Sequence, residues 1–271
     1  MKSGIRLDRY LLKRGSAGSI EKIKREIVTG WVKVNGETVR EPSRVVTGKE
    51  EISVKRPGGI FASRGGEKLQ HALNVFHISV KGRIVADLGA STGGFTDCLL
   101  HNGAVKVYSI DVGYGLLDYR LRNDHRVIVV ERTNVRNLTK DAFNCKIDFL
   151  TTDLSFISIL RVFDVIRNVF SPTKGIVLIK PQFEANPDEH CKGVVRNREN
   201  HKRILKRVIF SLVDLGMSFI AITYSPLKGP AGNIEFFLYY RIDEQVFPTK
   251  MSDNIELVIN SIVDDAYKNL T

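Results

Sequence analysis

The sequence predicts an α/β protein in which a mostly parallel sheet, with helices on both faces, follows a small basic module. From about residue 61, short apolar runs alternate with helical stretches, which is the pattern of a doubly wound sheet. A glycine-rich loop follows the first of these runs, at the edge where such sheets bind ligands. A turn-rich segment, residues 55–59, separates this region from the basic N-terminal part of the 271-residue chain.

The charge of the chain points to a polyanionic partner. The formal net charge is +11, and residues 1–60 carry 14 Lys and Arg against 7 Asp and Glu. Such a surplus is typical of proteins that bind nucleic acid or an anionic membrane surface. The N-terminal residues contain no apolar core of a signal peptide, so we expect a cytoplasmic protein. The cysteines at 98, 145 and 191 lack metal-ligand spacing, and we expect buried free thiols.

The N-terminal module is predicted to combine two helices and a hairpin. Apolar residues at helical spacing predict a first helix over residues 6–12. A second helix is expected to begin near Ser19 and to end at Gly30, with an apolar stripe between them. The alternating residues that follow predict a strand that enters a hairpin turn at Asn35-Gly36.

The larger region is predicted to contain seven strands and a final helix. The candidate strands are residues 84–88, 105–110, 127–130, 147–152, 175–180, 219–224 and 236–241. The apolar stretch 208–227 is interrupted by Asp214 and Gly216, which favours a helix end, a glycine stop and a buried strand over a membrane span. The amphipathic run 253–270 predicts a helix that covers the sheet through Ile255, Val258, Ile259 and Ile262.

The loop DLGASTGGF, residues 87–95, predicts a cofactor site. Its three glycines suggest a ligand lying against the backbone, although they could also serve only to turn the chain. Asp87 suits a cationic group of the ligand, and Asp111, at the end of the next strand, suits both ribose hydroxyls of an adenosine. Adenosine with a cationic amino-acid tail describes S-adenosyl-L-methionine. The predicted contacts are Asp87, Gly89, Ser91, Gly93, Gly94, Phe95, Asp111 and Val112. Asn134 either touches the adenine or ends a strand.

Four motifs together carry a family resemblance. They are SRGGEKL at 63–69, DLGASTGGF at 87–95, LIKPQFE at 178–184 and GNIEF at 232–236. In this order they resemble the TlyA family of bacterial ribosomal-RNA ribose 2′-O-methyltransferases, sometimes called hemolysin A. The resemblance covers nearly the whole chain.

The resemblance implies two domains. Residues 6–53 are similar to an S4 RNA-binding domain, and residues 61–242 are similar to an FtsJ-like methyltransferase. The implied fold is a Rossmann-like S-adenosyl-L-methionine-dependent methyltransferase sheet preceded by a small S4-type α/β domain. We therefore expect an S4-like domain at 1–55, a linker at 56–60 and a methyltransferase domain at 61–271.

The resemblance also implies a catalytic tetrad of Lys68, Asp153, Lys180 and Glu235. A ribose 2′-hydroxyl must lose its proton as it attacks, and a lysine can take that proton only if its pKa falls well below about 10.4. Burial and a second ammonium both act in that direction. We expect Lys180 to be the base or hydroxyl activator and Lys68 to position the nucleophile.

Three of the four tetrad positions also have a simpler, non-catalytic interpretation. Asp153 is expected to orient Lys180 and to lie near the cofactor's sulfonium, with Glu235 as a supporting orienter. The alternatives are a solvated charge at Lys180, a strand-edge charge at Glu235 and a helix N-cap at Asp153. The chain departs from many relatives at Leu116, where they have Gln. No metal is required by the implied chemistry.

Basic residues in the N-terminal module are expected to contact RNA phosphates. The candidates are Arg6, Arg9, Arg14, Lys22, Arg25, Lys33, Arg40 and Arg64. The alternative is a basic surface that only maintains solubility. The S4 resemblance favours structured RNA recognised by shape and backbone. Basic residues between 192 and 207 are expected to extend this footprint toward the active site.

Three functions are compatible with these patterns. The first is a ribose 2′-O-methyltransferase acting on ribosomal RNA, 16S or 23S or both, with ribosomal subunits as partners. The second is a non-catalytic RNA-binding factor in ribosome assembly, which an intact tetrad disfavours. The third is a membrane-lytic hemolysin, which needs an exposed apolar or strongly amphipathic segment that the sequence does not display. We expect no stable membrane association.

Overall fold

The computed structural model describes residues 4–16, 19–28, 30–54, 60–243 and 253–270. The predicted linker therefore lies almost entirely outside the described residues. The elements of the N-terminal module are β1 (Ile5–Arg6), α1 (Leu7–Lys13), α2 (Ile20–Val28), β2 (Val32–Val34), β3 (Glu37–Val39), β4 (Val45–Val46) and β5 (Ile52–Val54).

The N-terminal module confirms the predicted helices and hairpin. The Ser19 hydroxyl accepts a hydrogen bond from the backbone N–H of Lys22 at 3.2 Å, at the start of α2. Asn35 and Gly36 have φ values of 51° and 83°, the left-handed conformations that a tight hairpin turn between β2 and β3 requires. β2 also pairs with β5, and both helices bury their apolar faces in one small core.

The larger region contains the seven predicted strands. Its elements are α3 (Arg64–Val75), β6 (Ile84–Leu88), α4 (Gly94–His101), β7 (Lys106–Ile110), α5 (Tyr119–Arg122), β8 (Val127–Val130), β9 (Phe149–Thr152), α6 (Phe163–Phe170), β10 (Thr173–Ile179), α7 (Pro181–Glu184), α8 (Arg198–Asp214), β11 (Met217–Tyr224), β12 (Phe236–Ile242) and α9 (Asp253–Leu270). Short 3₁₀ turns occupy residues 135–137, 140–142 and 159–161.

The seven strands form one sheet in the order β11-β12-β10-β9-β6-β7-β8. β12 is antiparallel to both of its neighbours, whereas the pairs from β10 to β8 are parallel. The chain runs outward in both directions from the centre of the sheet, so β6 and β9 flank a topological switch point. Separate apolar cores fill the two faces, one with α3 and α4 and the other with α6, α8 and α9. The predicted Rossmann-like class is confirmed.

The segment with the highest hydropathy folds as predicted. α8 ends at Asp214, Gly216 has a φ of 93°, and β11 begins at Met217. Among the described residues, no helix is long and apolar enough to cross a membrane. α9 covers α8 and β11, but its apolar face differs from the prediction, because Val258 is exposed and the buried positions are Ile255, Ile259, Val263 and Ala266.

The prediction that all three cysteines are buried is wrong. Cys98 is buried in α4, Cys145 is half-buried, and Cys191 is exposed. Cys191 lies in a tight turn, where it forms an isolated bridge with Val194. The residues around a turn show no helical or strand periodicity, so the sequence did not indicate that Cys191 is exposed.

Candidate active site

The topology brings the four implied catalytic residues to one edge of the sheet. Asp153 directly follows β9 and Lys180 directly follows β10, and these strands are parallel neighbours. Glu235 directly precedes β12, whose first residue pairs with the last residue of antiparallel β10, so Glu235 lies opposite Lys180. Lys68 reaches the same edge from α3, as its contact with Glu235 shows.

The four residues form two lysine–carboxylate pairs with different exposure. Lys180 Nζ lies 2.7 Å from Asp153 Oδ1 and donates a hydrogen bond to the Ser155 hydroxyl at 2.8 Å. Lys68 Nζ donates to Glu235 Oε2 at 2.6 Å. The Asp153 side chain keeps 25% of its surface exposed, whereas Glu235 keeps 1%. The first pair can therefore meet a substrate, while the second supports it from below.

The plainer interpretations of these positions do not match the geometry. Lys180 is not a freely solvated charge, because its side chain is 12% exposed and paired. Glu235 is buried rather than a strand-edge charge. Asp153 is not a helix N-cap, because the first helical turn after it begins only at Ile159.

Asp87 lies beneath the glycine loop and has no exposed surface. It is fully buried, and its two oxygens accept hydrogen bonds from the hydroxyls of Thr96 at 2.7 Å and Thr151 at 2.9 Å. Burial raises the pKa of Asp87 to about 7, although the two hydroxyls oppose that shift. The side chain is fully buried in this structure, and its expected direct contact with a cationic group stays a prediction.

The glycines of the loop are required by the packing of the protein itself. A Cβ on Gly89, whose φ is 88°, would lie 2.5 Å from the backbone oxygen of Asp153. A Cβ on Gly93 would meet a leucine of α5 at 2.3 Å, and one on Gly94 would lie 2.2 Å from the Ser63 hydroxyl. The inference that these glycines indicate a ligand against the backbone is thus incomplete, since neighbouring elements also demand them. Phe95 is buried against Phe237 in the core.

The remaining predicted cofactor residues lie around an open edge. Asp111 Oδ2 accepts a hydrogen bond from the backbone N–H of Ser91 at 2.8 Å, and Oδ1 accepts one from Gly113 at 2.6 Å. Ser91 is exposed, and Val112 is 70% exposed. Asn134 does not end a strand. It caps the 3₁₀ turn at 135–137, where its side chain accepts from the backbone N–H of Arg136.

The predicted RNA-binding residues are mostly exposed. Exposed positions are Arg6, Arg9, Arg14, Lys22, Arg40 and Arg64, while Arg25 and Lys33 are half-buried. Arg6 forms a bidentate pair with buried Asp8, at 3.1 and 2.8 Å, so part of its charge is neutralised. Arg25 turns toward the methyltransferase region, where it donates to the backbone oxygen of Leu117 at 3.2 Å and lies 3.8 Å from Asp118.

The basic segment 192–207 is only partly neutralised within the protein. Within α8, Lys202 lies 3.0 Å from Asp264 of α9, and Lys206 pairs with Glu256 of α9. Arg207 forms a bidentate contact with Glu189 at 2.7 and 3.0 Å. Lys192, Arg196 and Arg203 are exposed, so the expected extension of the RNA footprint toward the active site stays a prediction.

Two residues shortly after Asp153 were not predicted from the sequence to belong to the site. Ser155 accepts a hydrogen bond from Lys180, and Phe156 is 90% exposed with a φ of 64°. The Phe156 ring lies 5.1 Å from the ring of Phe183, which follows Lys180 in α7. The one sequence signal for Ser155 and Phe156 was their position shortly after a strand-end aspartate. An apolar residue such as phenylalanine is normally expected to be buried, so the sequence did not indicate that Phe156 is exposed.

Comparisons with known proteins agree with this geometry. Residues 61–242 match the FtsJ-like methyltransferase family, and residues 5–52 match the S4 domain. The fold, the strand-end site and these matches define an S-adenosylmethionine-dependent type of methyltransferase domain with an S4 domain at its N-terminus. Across the described residues, no three His, Cys, Asp or Glu side chains are grouped as metal ligands.

Individual relatives place the chain more narrowly. The 16S/23S rRNA (cytidine-2′-O)-methyltransferase TlyA of Mycobacterium tuberculosis is 40% identical over 239 residues, 87% of this chain and 89% of that protein. Hemolysin A of Brachyspira hyodysenteriae is 40% identical over 241 residues, 88% of this chain and all of that protein. A solved structure described as a hemolysin from Streptococcus thermophilus is 34% identical, covers 99% of this chain and 98% of its own, and has a TM-score of 0.73. The chain belongs to the FtsJ-like methyltransferase family and, within it, to the TlyA group.

Proposed function

We propose that this protein is an S-adenosyl-L-methionine-dependent ribose 2′-O-methyltransferase of ribosomal RNA. The observation that carries the proposal is the pair of lysine–carboxylate contacts at the carboxyl edge of the sheet, one partly open and one buried. The relative from Mycobacterium tuberculosis is named for cytidine 2′-O-methylation of 16S and 23S rRNA. A ribosomal RNA substrate would also place the protein in the cytoplasm.

Lys180 is assigned to the 2′-hydroxyl. An ammonium group has three N–H donors, of which Ser155 receives one, while Asp153 Oδ1 is the ion-pair partner at 2.7 Å. A remaining donor can contact the substrate's 2′-oxygen, which both orients the hydroxyl and stabilises the negative charge that develops as its proton leaves to water. Lys68, held by buried Glu235, adds positive charge below the same edge.

The residues at the open edge fit the predicted cofactor. Each oxygen of Asp111 accepts one backbone N–H and retains a further lone pair, so the carboxylate can still accept from two ribose hydroxyls. Ser91 and Val112 offer exposed polar and apolar surface beside it. When bound, S-adenosyl-L-methionine supplies an activated methyl group. Four other predicted residues support the loop from within the protein, namely Asp87, Gly93, Gly94 and Phe95. Gly89 allows the loop to pack closely against the backbone of Asp153.

RNA is assigned to the basic N-terminal module and to the rim of the active site. S4-module arginines such as Arg9 and Arg14 are exposed and can contact phosphates. Phe156 exposes an aromatic face beside Lys180, and such faces stack on bases of single-stranded or flipped nucleotides. Arg40 of the module and Arg64 at the start of α3 are also exposed and can contact phosphates.

The test is methyl transfer to unmodified ribosomal subunits. Wild-type protein, Lys180→Ala and Lys174→Ala would be incubated with S-adenosyl-L-methionine and 30S or 50S subunits, and the RNA nucleosides resolved by mass spectrometry. Lys174 is a matched control, because it is an exposed lysine on β10 at the opposite edge of the sheet. We expect a 2′-O-methylated nucleoside with wild type and Lys174→Ala, and a loss of about 100-fold or more with Lys180→Ala.

Other outcomes would overturn the proposal. Cofactor binding without methyl on either subunit would favour a non-catalytic assembly factor. Equal rates for Lys180→Ala and wild type would remove Lys180 from the mechanism. Release of dye from anionic liposomes at comparable protein concentration would favour the lytic function for which the hemolysin relatives are named.

A further inference from the structure

The loop 154–158 carries two side chains that the proposed active site needs. Ser155 accepts a hydrogen bond from Lys180, and Phe156 stands exposed beside it. Phe156 has a φ of 64°, a left-handed conformation that is unfavourable for a residue with a Cβ. Such a conformation persists only where surrounding contacts hold it.

Glu184 provides contacts at the end of this loop. Its Oε2 accepts a hydrogen bond from the Ser158 hydroxyl at 2.5 Å, and its Oε1 accepts one from the backbone N–H of Ile159 at 2.9 Å. Glu184 is the last residue of α7, the short helix that begins immediately after Lys180. The single helical turn of α7 therefore links Lys180 to Glu184, whose carboxylate binds the end of loop 154–158.

The neighbours of Glu184 keep it in place. Arg207 of α8 donates to the Glu184 backbone oxygen at 2.9 Å, and Glu189 in turn pairs with Arg207. Burial raises the pKa of Glu184, while the donors from Ser158 and Ile159 and the charge of Arg207 oppose that shift. The Glu184 carboxylate is half-buried and both of its oxygens accept hydrogen bonds, so it is costly to remove and specific in geometry.

We propose that Glu184 is a positioning residue, which fixes loop 154–158 so that Ser155 receives a hydrogen bond from Lys180 and Phe156 remains presented to the substrate. This inference rests on the proposed methyl-transfer function. Glu184 itself does not touch the reacting atoms. It acts through Ser155 and Lys180, so its removal lowers the rate of transfer at saturating substrate without weakening cofactor binding.

The choice of variants follows from hydrogen-bond chemistry. Glu184→Ala removes both acceptors. Glu184→Gln keeps a carbonyl oxygen for the Ile159 N–H and places an NH₂ group toward Ser158, whose hydroxyl can rotate to accept it. The glutamine variant should therefore retain the loop, whereas the alanine variant should release it. Asp148→Ala is the matched control, because Asp148 makes a similar carboxylate-to-backbone contact with Ile84, at 2.9 Å, at the opposite edge of the sheet.

The experiment measures single-turnover methyl transfer at saturating RNA and cofactor, together with cofactor affinity by calorimetry. We expect Glu184→Ala to slow transfer by about 10- to 100-fold, because small misplacement of reacting groups has effects of this size. The transfer rates of Glu184→Gln and Asp148→Ala should stay within about threefold of wild type. The cofactor affinity of all three variants should change less than about twofold, since neither Glu184 nor Asp148 touches the reacting groups.

A double-mutant cycle separates positioning from general stability. In a Ser155→Ala background, Glu184→Ala should have less than its full effect, because the pathway through Ser155 is already interrupted and only the presentation of Phe156 remains to be lost. Full multiplication of the two effects, or a wild-type rate for Glu184→Ala, would overturn the inference. If Glu184→Ala does not fold, Ser158→Ala removes one of the same two contacts and should give an intermediate loss of rate. An inactive wild-type protein would instead contradict the proposed function.

Discussion

At the scale of single residues, the site uses charged groups in two ways. The Lys180–Asp153 pair is partly exposed and available to a substrate, whereas the Lys68–Glu235 pair is almost sealed. Breaking a buried pair by removing one partner leaves an uncompensated charge and usually costs about 3–5 kcal/mol. Variants of Lys68 and Glu235 therefore combine catalytic and folding effects, and variants of Lys180 report more directly on the chemistry.

Asp87 predicts an unusual dependence of stability on pH. Burial raises its pKa in the folded protein to about 7, from the ordinary value of 3.8 for an aspartate. The folded state therefore holds a proton that the unfolded state has already released, so this group makes the protein less stable as pH rises toward 7. Between about pH 5.5 and about pH 7.5, wild type should lose roughly 2 kcal/mol of unfolding free energy relative to Asp87→Asn.

Urea unfolding of the two proteins at both pH values measures this difference. The comparison between wild type and Asp87→Asn removes the contributions of all other titrating groups, provided that both keep the same contacts to Thr96 and Thr151. Parallel stability curves for the two proteins over this range would show that Asp87 is ionised in the folded state.

At the scale of elements, the close approach of α3 and α4 shapes the cofactor edge. Ser63 caps α3 by accepting from the Gly65 backbone N–H at 3.3 Å, and Gly94 begins α4 directly against it. Phe61 also lies where a Cβ on Gly66 would project, at 2.4 Å. Small residues at these helix starts therefore allow Lys68 on α3 to approach Glu235 on the sheet.

Gly94→Ala tests this packing. The new methyl group would lie 2.2 Å from the Ser63 hydroxyl and 3.0 Å from the Gly66 backbone nitrogen, so the two helices must separate. We expect a loss of about 1–3 kcal/mol of unfolding free energy, as for other overpacked positions, and weaker cofactor binding. Denaturant unfolding and calorimetry with S-adenosyl-L-methionine measure the two effects.

Ser63→Ala provides the matched background. Alone it removes the cap and should cost about 1 kcal/mol. Combined with Gly94→Ala it also removes the nearest clash, so the double variant should be more stable than the sum of the single effects requires. Simple additivity would place the strain elsewhere than at the Ser63 hydroxyl.

At the scale of the whole molecule, we propose that the basic N-terminal module binds RNA while the methyltransferase region carries out the chemistry. The domain boundaries at 55 and 61 stay a prediction, although the two family matches end and begin near them. Arg25 connects the parts through Leu117 and Asp118, and the Asp118 backbone N–H donates to Thr92 in the cofactor loop at 3.2 Å. The module is thus in contact with the segment that borders the cofactor site.

Charge reversal in the module should weaken RNA binding without affecting the cofactor. Arg9→Glu with Arg14→Glu is the appropriate variant, because both side chains are exposed, whereas reversal at Arg6 would leave Asp8 without its bidentate partner. We expect affinity for ribosomal subunits to fall by about 10-fold or more, with a shallower salt dependence, since phosphate contacts release counterions. S-adenosyl-L-methionine affinity should remain unchanged.

Lys174→Glu reverses one charge, half the change of the arginine variant, at the opposite edge of the sheet and should bind subunits almost as wild type does. Filter binding at several salt concentrations measures all three proteins. Equal weakening by Lys174→Glu would show that net charge, rather than the module's surface, determines RNA affinity. Loss of cofactor affinity in the arginine variant would contradict the division of labour between the domains.

The elements were predictable from the sequence because their signals are local. Apolar runs identified all seven strands of the sheet, and Gly216 and the Asn35-Gly36 pair marked turns where the chain does turn. The order of strand-end acids, lysines and glycine motifs identified the family, because these residue types at these spacings rarely coincide by chance.

The tertiary structure alone decided which of those residues face the site. Asp87 is buried beneath the loop, Lys202 and Lys206 of α8 pair with acids of α9, and Ser155 accepts a hydrogen bond from Lys180. Glu184 contacts the end of the loop that carries Ser155. Each of these facts depends on contacts between segments that are distant in the chain, or on the direction in which a short loop turns. The sequence by itself thus determined the fold class and the chemistry at hand, because those follow from periodicity and residue type. Burial and pairing depended on the packing of the sheet with its helices.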